Sequence, residues 1–349
     1  MPFSSQEIQD AGKIGLDFYL KNAPIDQVAV ERPLLKFLME GKKTAPGAKQ
    51  YIVEQLRYRY QSNFQWFNGS QVVTYNRRTV NEQASYAWRS AHDGFAIDED
   101  RLAQNGIQIA ETDTAKNASQ AERIQLTNLI EEQSQVLRLG FQEKFSQALH
   151  LDGTQATDAI TGLDALISTS PSTGTVGGID ASSSSNVYWR NYAVSALTTT
   201  TSTGNVLDYM EIAWRSCVRN GGAPNKIIAG ADFIDGFRNF MLKTFGLYNM
   251  GAVGTRRVEA GVEQMTFHGV PIEWDPEFYD LQALTGTAWE KRCYFLNSNT
   301  IKLRPLDGHD MITRKPPRAY DKYEYYFGLT WRGAMTCNRR NANAVLAIA

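Results

Sequence analysis

Histidine is the side chain best suited to acid–base work near neutral pH, and this chain has four: His92, His150, His268 and His309. Each stands alone. None belongs to an HExxH or HxxxH pair, the spacing that places two imidazoles on one helix face for a metal ion. His150 lies near Asp152, and His309 near Asp310. A serine brought in by the fold would complete a triad, but no GxSxG elbow accompanies either one. For each histidine the expectation is a structural or surface role.

The other candidate constellations fail on spacing. Asp98, Glu99 and Asp100 form an acidic run, but a calcium loop needs ligands at alternating positions. Arg101 and Leu102 interrupt that pattern, so a solvated turn is expected. Gly246 and Gly251 have phosphate-loop spacing, yet Ala252 and Val253 follow where a lysine and a hydroxyl are required. No GxGxxG occurs. Cys217, Cys293 and Cys337 are odd in number and far apart, which fits buried thiols in a reducing compartment and neither a disulfide framework nor a metal pair. No catalytic residue, metal or cofactor is expected, and the chain reads as a non-enzyme.

A ribbon of arginines and rings is chemically more suggestive. Arg57, Arg59, Arg77, Arg78 and Arg89 alternate with Tyr51, Tyr58, Tyr60, Phe64, Trp66, Phe67, Tyr75, Tyr86 and Trp88, all read as surface residues. Such a mixture can stack single-stranded bases, and it is also the composition preferred at protein–protein hot spots. The 36 basic and 37 acidic residues leave a net charge of -1. That balance favours protein contact, because nucleic-acid affinity draws on an excess of Lys and Arg.

The elements around the ribbon set its context. Ser4–Lys21 has a capping-box start and apolar residues at helical intervals. Pro33–Glu40 reads as a second helix with Gly41 past its end, and Gly41–Gly47 as a hinge-like linker. Strands are expected at Gln50–Tyr60, Gln71–Tyr75 and Gln83–Ala96, with Asn68–Gly69 as a tight turn. The ribbon has too few aliphatics for a core of its own. From Lys116 to His150 one long helix carries Leu126, Ile130, Leu137, Phe141, Phe145 and Leu149 as a buried stripe. Residues 153–204, rich in Gly, Ser and Thr, read as ordered loop. Alternation then signals an α/β layer: helix Val206–Arg219, strand Lys226–Ala229, helix Ala231–Phe245, then strands at Glu263–Phe267, Val270–Trp274, Arg292–Leu296 and Ile301–Leu303. Strands return over 323–349 after a crossing at Lys315–Pro317.

A length of 349 residues suggests about two domains of roughly 150 residues each. Hydrophobic content of 42% and charged content of 21% suit a folded protein. Residues 1–10 lack the basic and apolar regions of a secretion signal, and no stretch approaches the about 18 apolar residues that span a bilayer. A rigid spine with an extended arm suits a subunit that contacts its neighbours.

The order of parts resembles the major capsid proteins of tailed bacteriophages, the Hong Kong 97-type fold: arm, extended loop, spine helix, α/β domain with a glycine-rich loop, returning strands. Local sequence is similar too, at Gly162–Ile167, Gly177–Asp180, Tyr188–Asn191, Ala223–Ile228, Phe267–Ile272 and Tyr294–Asn297. The resemblance implies an α+β fold with residues 1–47 as N-terminal arm and 48–112 as extended E-loop. Residues 113–152 with 308–349 would be the peripheral domain holding the spine, and 153–307 the axial domain. It implies inter-subunit contacts at Arg57, Arg59, Trp66, Phe67, Asn68, Gly69, Arg77 and Arg78. It also implies an axial loop of Gly246, Tyr248, Gly251, Gly254, Arg256 and Arg257. The expected function is a self-assembling icosahedral head shell enclosing double-stranded DNA, in the virion after assembly in the host bacterial cytoplasm. Partners would be further copies in pentamers and hexamers, a separate scaffolding protein, a portal, a decoration protein and packaged DNA touched without sequence preference; no membrane is implied. An encapsulin-like bacterial nanocompartment shares the fold and is the alternative. The founding member's Lys–Asn subunit cross-link is not carried over, since Tyr51–Gln104 contains no lysine.

Overall fold

The structure, a computed structural model, describes residues 30–47, 49–98, 100, 120–199, 204–245, 265–314, 316 and 324–349, with backbone alone at 120–129 and 242–245. Two compact units are described. One is built on Ser90–Phe145 and Gly308–Trp331, the other on Glu31–Arg89, Ser146–Asp307 and Arg332–Ala349.

The larger unit contains a six-stranded sheet in the order Tyr192–Leu197, Ala344–Ile348, Arg292–Leu296, Lys226–Ala229, Val270–Trp274, Thr266–Phe267. Tyr192–Leu197 runs parallel to Ala344–Ile348, and Lys226–Ala229 to Val270–Trp274; parallel neighbours require crossover connections. The central strand Arg292–Leu296 is buried at every position, as expected where both faces of a sheet are covered. On one face Cys293 and Phe295 join Phe233, Phe237 and Phe240. The helix Val206–Arg219 closes that face with Val206, Met210, Ala213 and Cys217, spaced by four, three and four. Arg292 and Tyr294 instead meet Asp164 and Trp289: Arg292 Nη1 lies 2.9 Å from Asp164 and its guanidinium 4.4 Å from the Trp289 ring. The helices Val206–Arg219 and Ala231–Phe245 and the strands Lys226–Ala229, Val270–Trp274 and Arg292–Leu296 have the expected limits.

All three cysteines are free and buried. Burial pushes the Cys217 and Cys337 thiols up to about 12 and raises Cys293 as well. Inert core thiols result.

The Gly/Ser/Thr-rich stretch is ordered through local elements: helix Leu163–Leu166, the pair Thr175–Val176 and Ile179–Asp180, and the 3-10 turn Ser184–Trp189. Arg340, fully buried, gathers this stretch. Its Nε donates to Leu166 O at 2.6 Å, Nη1 to Trp189 O at 3.1 Å, and Nη2 to Ala165 O at 3.4 Å. Carbonyls at a helix C-terminus lack intrahelical donors, and a cation there is favourable.

One expectation is overturned here. Gly41–Gly47 is not a free hinge, because Lys43 N donates to Leu303 O at 3.0 Å and Ala45 N to Pro305 O at 2.8 Å. Ala45 also bridges Leu306 and is buried. The linker gains backbone partners along the strand Ile301–Pro305, which a hinge would forgo.

In the smaller unit the strand Arg89–Asp98 alternates in exposure. Phe95 stacks on Phe327 at 5.1 Å beside Ile97, Ile130 and Tyr325. A Cβ on Gly94 would meet Phe327 O at 2.8 Å, so only glycine permits that backbone approach. Phe145 stacks with Phe141 at 5.6 Å and packs on Trp331 at 4.7 Å. Within the helix Gln120–His150, Phe141, Phe145 and Leu149 are buried as expected, while Ile130 and Leu137 are half-buried. Leu126, like the helix Ser4–Lys21, lies outside the described side chains. Among the described residues, no helix is long and apolar enough to cross a membrane.

Candidate assembly surface

The arginine–aromatic ribbon has a fixed root and an uncovered tip. Its root is the antiparallel pair Tyr51–Arg57 and Asn81–Ala87, in register from Tyr51↔Ala87 to Arg57↔Asn81. This corrects two expectations. Gln71–Tyr75 forms no strand, and Gln83–Ala96 is divided into Asn81–Ala87 and Arg89–Asp98 at Trp88. The strand propensity of Val72, Val73 and Tyr75 goes unused because no inner face is available to them. Asn81–Ala87 instead buries Ala84 and Tyr86 in alternation, with Tyr86 opposite Ile52 and Ala84 opposite Glu54.

Tyr86, expected on the surface, is therefore a core residue. Its hydroxyl donates to Cys337 O at 2.8 Å, and burial raises its pKa well above the ordinary tyrosine value. Glu54 Oε1 accepts from Arg304 Nη2 at 2.7 Å and Nε at 3.1 Å, and from Thr336 Oγ1 at 3.1 Å. Ser85 N donates to Gly177 O at 2.8 Å. Tyr58 stacks on Tyr188 at 5.1 Å, and the Tyr188 hydroxyl donates to Glu82. Trp88 Nε1 donates to Lys49 O at 2.9 Å.

Beyond the root, residues 58–80 form no ladder. Short-range bonds hold the two sides: Thr79 N donates to Gln61 Oε1 at 2.8 Å, and Asn63 Nδ2 to Thr74 Oγ1 at 3.1 Å. The tip turns at Asn68–Gly69 as expected, with Gln71 N donating to Asn68 O at 2.8 Å. Neither residue has positive φ, so this is not the two-residue hairpin turn that the dipeptide favours.

The tip side chains face solvent. Relative exposure is 79% for Tyr60, 72% for Phe64, 89% for Trp66, 68% for Phe67, 90% for Val72 and 92% for Tyr75. Arg57, Arg59, Asn68, Gly69, Arg77 and Arg78 are exposed beside them. Arg59 donates to Thr79 O at 3.1 Å and stands 4.9 Å from the Tyr58 ring. Phe64 and Trp66 meet edge to face at 5.2 Å within this exposed group. Gly246, Tyr248, Gly251, Gly254, Arg256 and Arg257 lie outside the described residues.

A buried ionic cluster in the same unit is the other place where chemistry is conceivable. His150 Nε2 lies 3.0 Å from Asp275 Oδ2, and its Nδ1 lies 2.9 Å from Ser146 O and 3.3 Å from Glu277 Oε2. Ser146 Oγ donates to Glu277, and so does Arg32 Nε at 3.0 Å. The three titratable groups lie within 4.8 Å of one another. Asp275 and Glu277 approach opposite nitrogens of the ring. Acceptors at both nitrogens favour the imidazolium form of His150. Burial pulls its pKa down, but Asp275, then Glu277 and the Ser146 carbonyl, more than offset this and raise it. Arg32 and His150 balance two carboxylates, which fits a structural keystone. The pairing of His150 with Asp152 suggested by sequence is not made; Asp152 accepts from Thr154 and Gln155.

Sequence reading missed Glu54, Arg304, Asp275, Glu277 and Arg340. Only the alternation in Asn81–Ala87 carried a usable signal, with Ala84 and Tyr86 on one face.

No protein-family model matches the sequence, and no curated protein does. Solved structures match over nearly the whole chain. A chain of the cyanophage A-1(L) capsid asymmetric unit is 16% identical, with a TM-score of 0.58 over 94% of this chain and 96% of that one. A chain of the capsid of Myoviridae phage XM1 is 11% identical, with a TM-score of 0.54 over 95% and 97%. A chain of the capsid of a native GTA particle is 9% identical, with a TM-score of 0.54 over 95% and 96%. The chain shares its fold with these capsid structures.

Proposed function

We propose that this protein is the major capsid protein of a tailed bacteriophage, of Hong Kong 97-type architecture. It assembles into an icosahedral head shell around double-stranded DNA and has a structural, non-enzymatic role. The observation that supports this best is the ribbon, whose large apolar side chains stand in water on a root pinned by Glu54–Arg304 and Tyr86–Cys337. A tip that finds no burial among the described residues gains it on a second copy. One contact repeated around an axis closes into rings, and many modest contacts per subunit add through effective concentration.

In this reading residues 1–47 are the arm, 48–112 the E-loop, 113–152 with 308–349 the peripheral domain and 153–307 the axial domain. Arg57, Arg59, Trp66, Phe67, Asn68, Gly69, Arg77 and Arg78 contact neighbours. The loop of Gly246, Tyr248, Gly251, Gly254, Arg256 and Arg257 crowds the five- and sixfold axes. A scaffolding protein, a portal, a decoration protein and non-specifically touched DNA complete the partners, in the virion after assembly in the host cytoplasm. Electron microscopy of the expressed protein is the test. Rings or closed shells are expected; solitary subunits at every concentration, with or without a scaffold, would contradict the proposal. Nuclease digestion of particle contents separates a genome head from a nanocompartment holding protein cargo.

A further inference from the structure

Asn-Gly occurs three times in the chain, at Asn68–Gly69, Asn105–Gly106 and Asn220–Gly221. The second lies outside the described residues. The other two have opposite surroundings. Asn68 and Gly69 are exposed at the ribbon tip, and Asn68 Oδ1 lies 2.8 Å from Gly69 N. The carboxamide is thus folded back onto the backbone nitrogen that follows it. A Cβ at Gly69 would meet nothing within 4 Å, so the space beside this exposed glycine is open. At Asn220 the geometry is closed. Gly221 N donates to Val218 O at 3.1 Å, and Asn220 Nδ2 donates to Asn341 O at 3.2 Å.

We propose that Asn68 is a site of spontaneous deamidation and that Asn220 is protected by the fold. Hydroxide takes the proton of Gly69 N, and the nitrogen attacks the Asn68 side-chain carbonyl carbon. The C–NH2 bond breaks, and ammonia leaves carrying a proton from water. The product is a five-membered succinimide. Water then adds to one of its two carbonyls and opens the ring, giving aspartate or isoaspartate. No oxidant or reductant is needed. The missing side chain at Gly69 matters, because any Cβ there would crowd the attacking nitrogen. The outcome is a negative charge on the tip, and in the isoaspartate form an extra methylene in its backbone. This inference goes beyond the assembly reading and concerns the unassembled subunit, in which the tip is exposed.

The test is peptide mass spectrometry of the folded full-length subunit, incubated at mildly alkaline pH and sampled over days. Conversion at Asn68 is expected to run about tenfold or more faster than at Asn220, whose reaction waits on local opening. In denaturant the two rates should converge. Gly69→Ala fits the available space and is expected to slow conversion at Asn68 by about tenfold while the melting temperature stays unchanged, as for a surface change. Equal rates at Asn68 and Asn220 in the folded subunit would overturn the proposal, as would a Gly69→Ala subunit that converts as fast as the parent.

Discussion

Glu54 and Arg304 form a two-point clamp, with Oε1 at 2.7 Å from Nη2 and 3.1 Å from Nε, and both side chains are mostly buried. The pair joins the first ribbon strand to the strand Ile301–Pro305, 250 residues away in sequence. A planar guanidinium matched to one carboxylate fixes orientation as well as distance. Glu54→Gln keeps the shape and removes the charge. It is expected to lower unfolding stability by about 1–3 kcal/mol, read as a shifted urea midpoint with unchanged slope. An unmoved midpoint would mean that the ribbon root is held elsewhere.

Trp66 and Phe67 make the complementary case. Their exposure leaves little to lose on folding, so Trp66→Ala with Phe67→Ala should change subunit stability by no more than about 0.5 kcal/mol. Shell yield should collapse, because truncated aromatic anchors carry most of an interface's energy. Calorimetry and sedimentation of the same preparation separate the two effects. Normal shells from the double variant would remove the tip from the interface.

Arg340 carries a large expected loss. Its guanidinium satisfies the carbonyls of Leu166, Trp189 and Ala165 in a fully buried setting. Arg340→Met fills the volume but orphans those acceptors, at a cost of about 3 kcal/mol or more. Arg340→Lys should rescue little, since one ammonium does not reproduce a planar fork. Chemical denaturation of both variants checks the ranking.

His150 gives the pH dependence. Its native pKa is raised above the ordinary 6.5, so the folded protein binds that proton more tightly than the unfolded chain. The contribution is complete below about 6.5 and is lost as pH rises through the native value. Glu277, pushed up by burial, slopes the same way from its ordinary 4.5 upward. Stability should therefore fall on the alkaline side, and His150→Gln should flatten that fall while costing about 3–5 kcal/mol at lower pH. Equal pH slopes in the two proteins would rule out an imidazolium at His150.

Local order was legible in the sequence where one face decides the element. Val206–Arg219 shows its apolar spacing, and Lys226–Ala229 is a short apolar run, so their limits agree with the structure. Gln71–Tyr75 has the same kind of local signal and no strand, because strand formation needs a partner row and a face to bury. Gly41–Gly47 reads as flexible from glycine and proline alone, yet it borrows backbone donors and acceptors from residues some 260 positions on. His150, Asp275, Glu277 and Arg32 come together only through the fold. Isolated positions leave no periodic trace, so the keystone was invisible before the structure.

A cryo-electron microscopy reconstruction of assembled particles tests the self-assembly proposal most directly. Trp66, Phe67 and Tyr75 are expected to be covered by an adjacent copy, with the Glu54–Arg304 clamp intact beneath them. Particles whose ribbon tips remain in solvent, or fold back onto their own subunit, would contradict it.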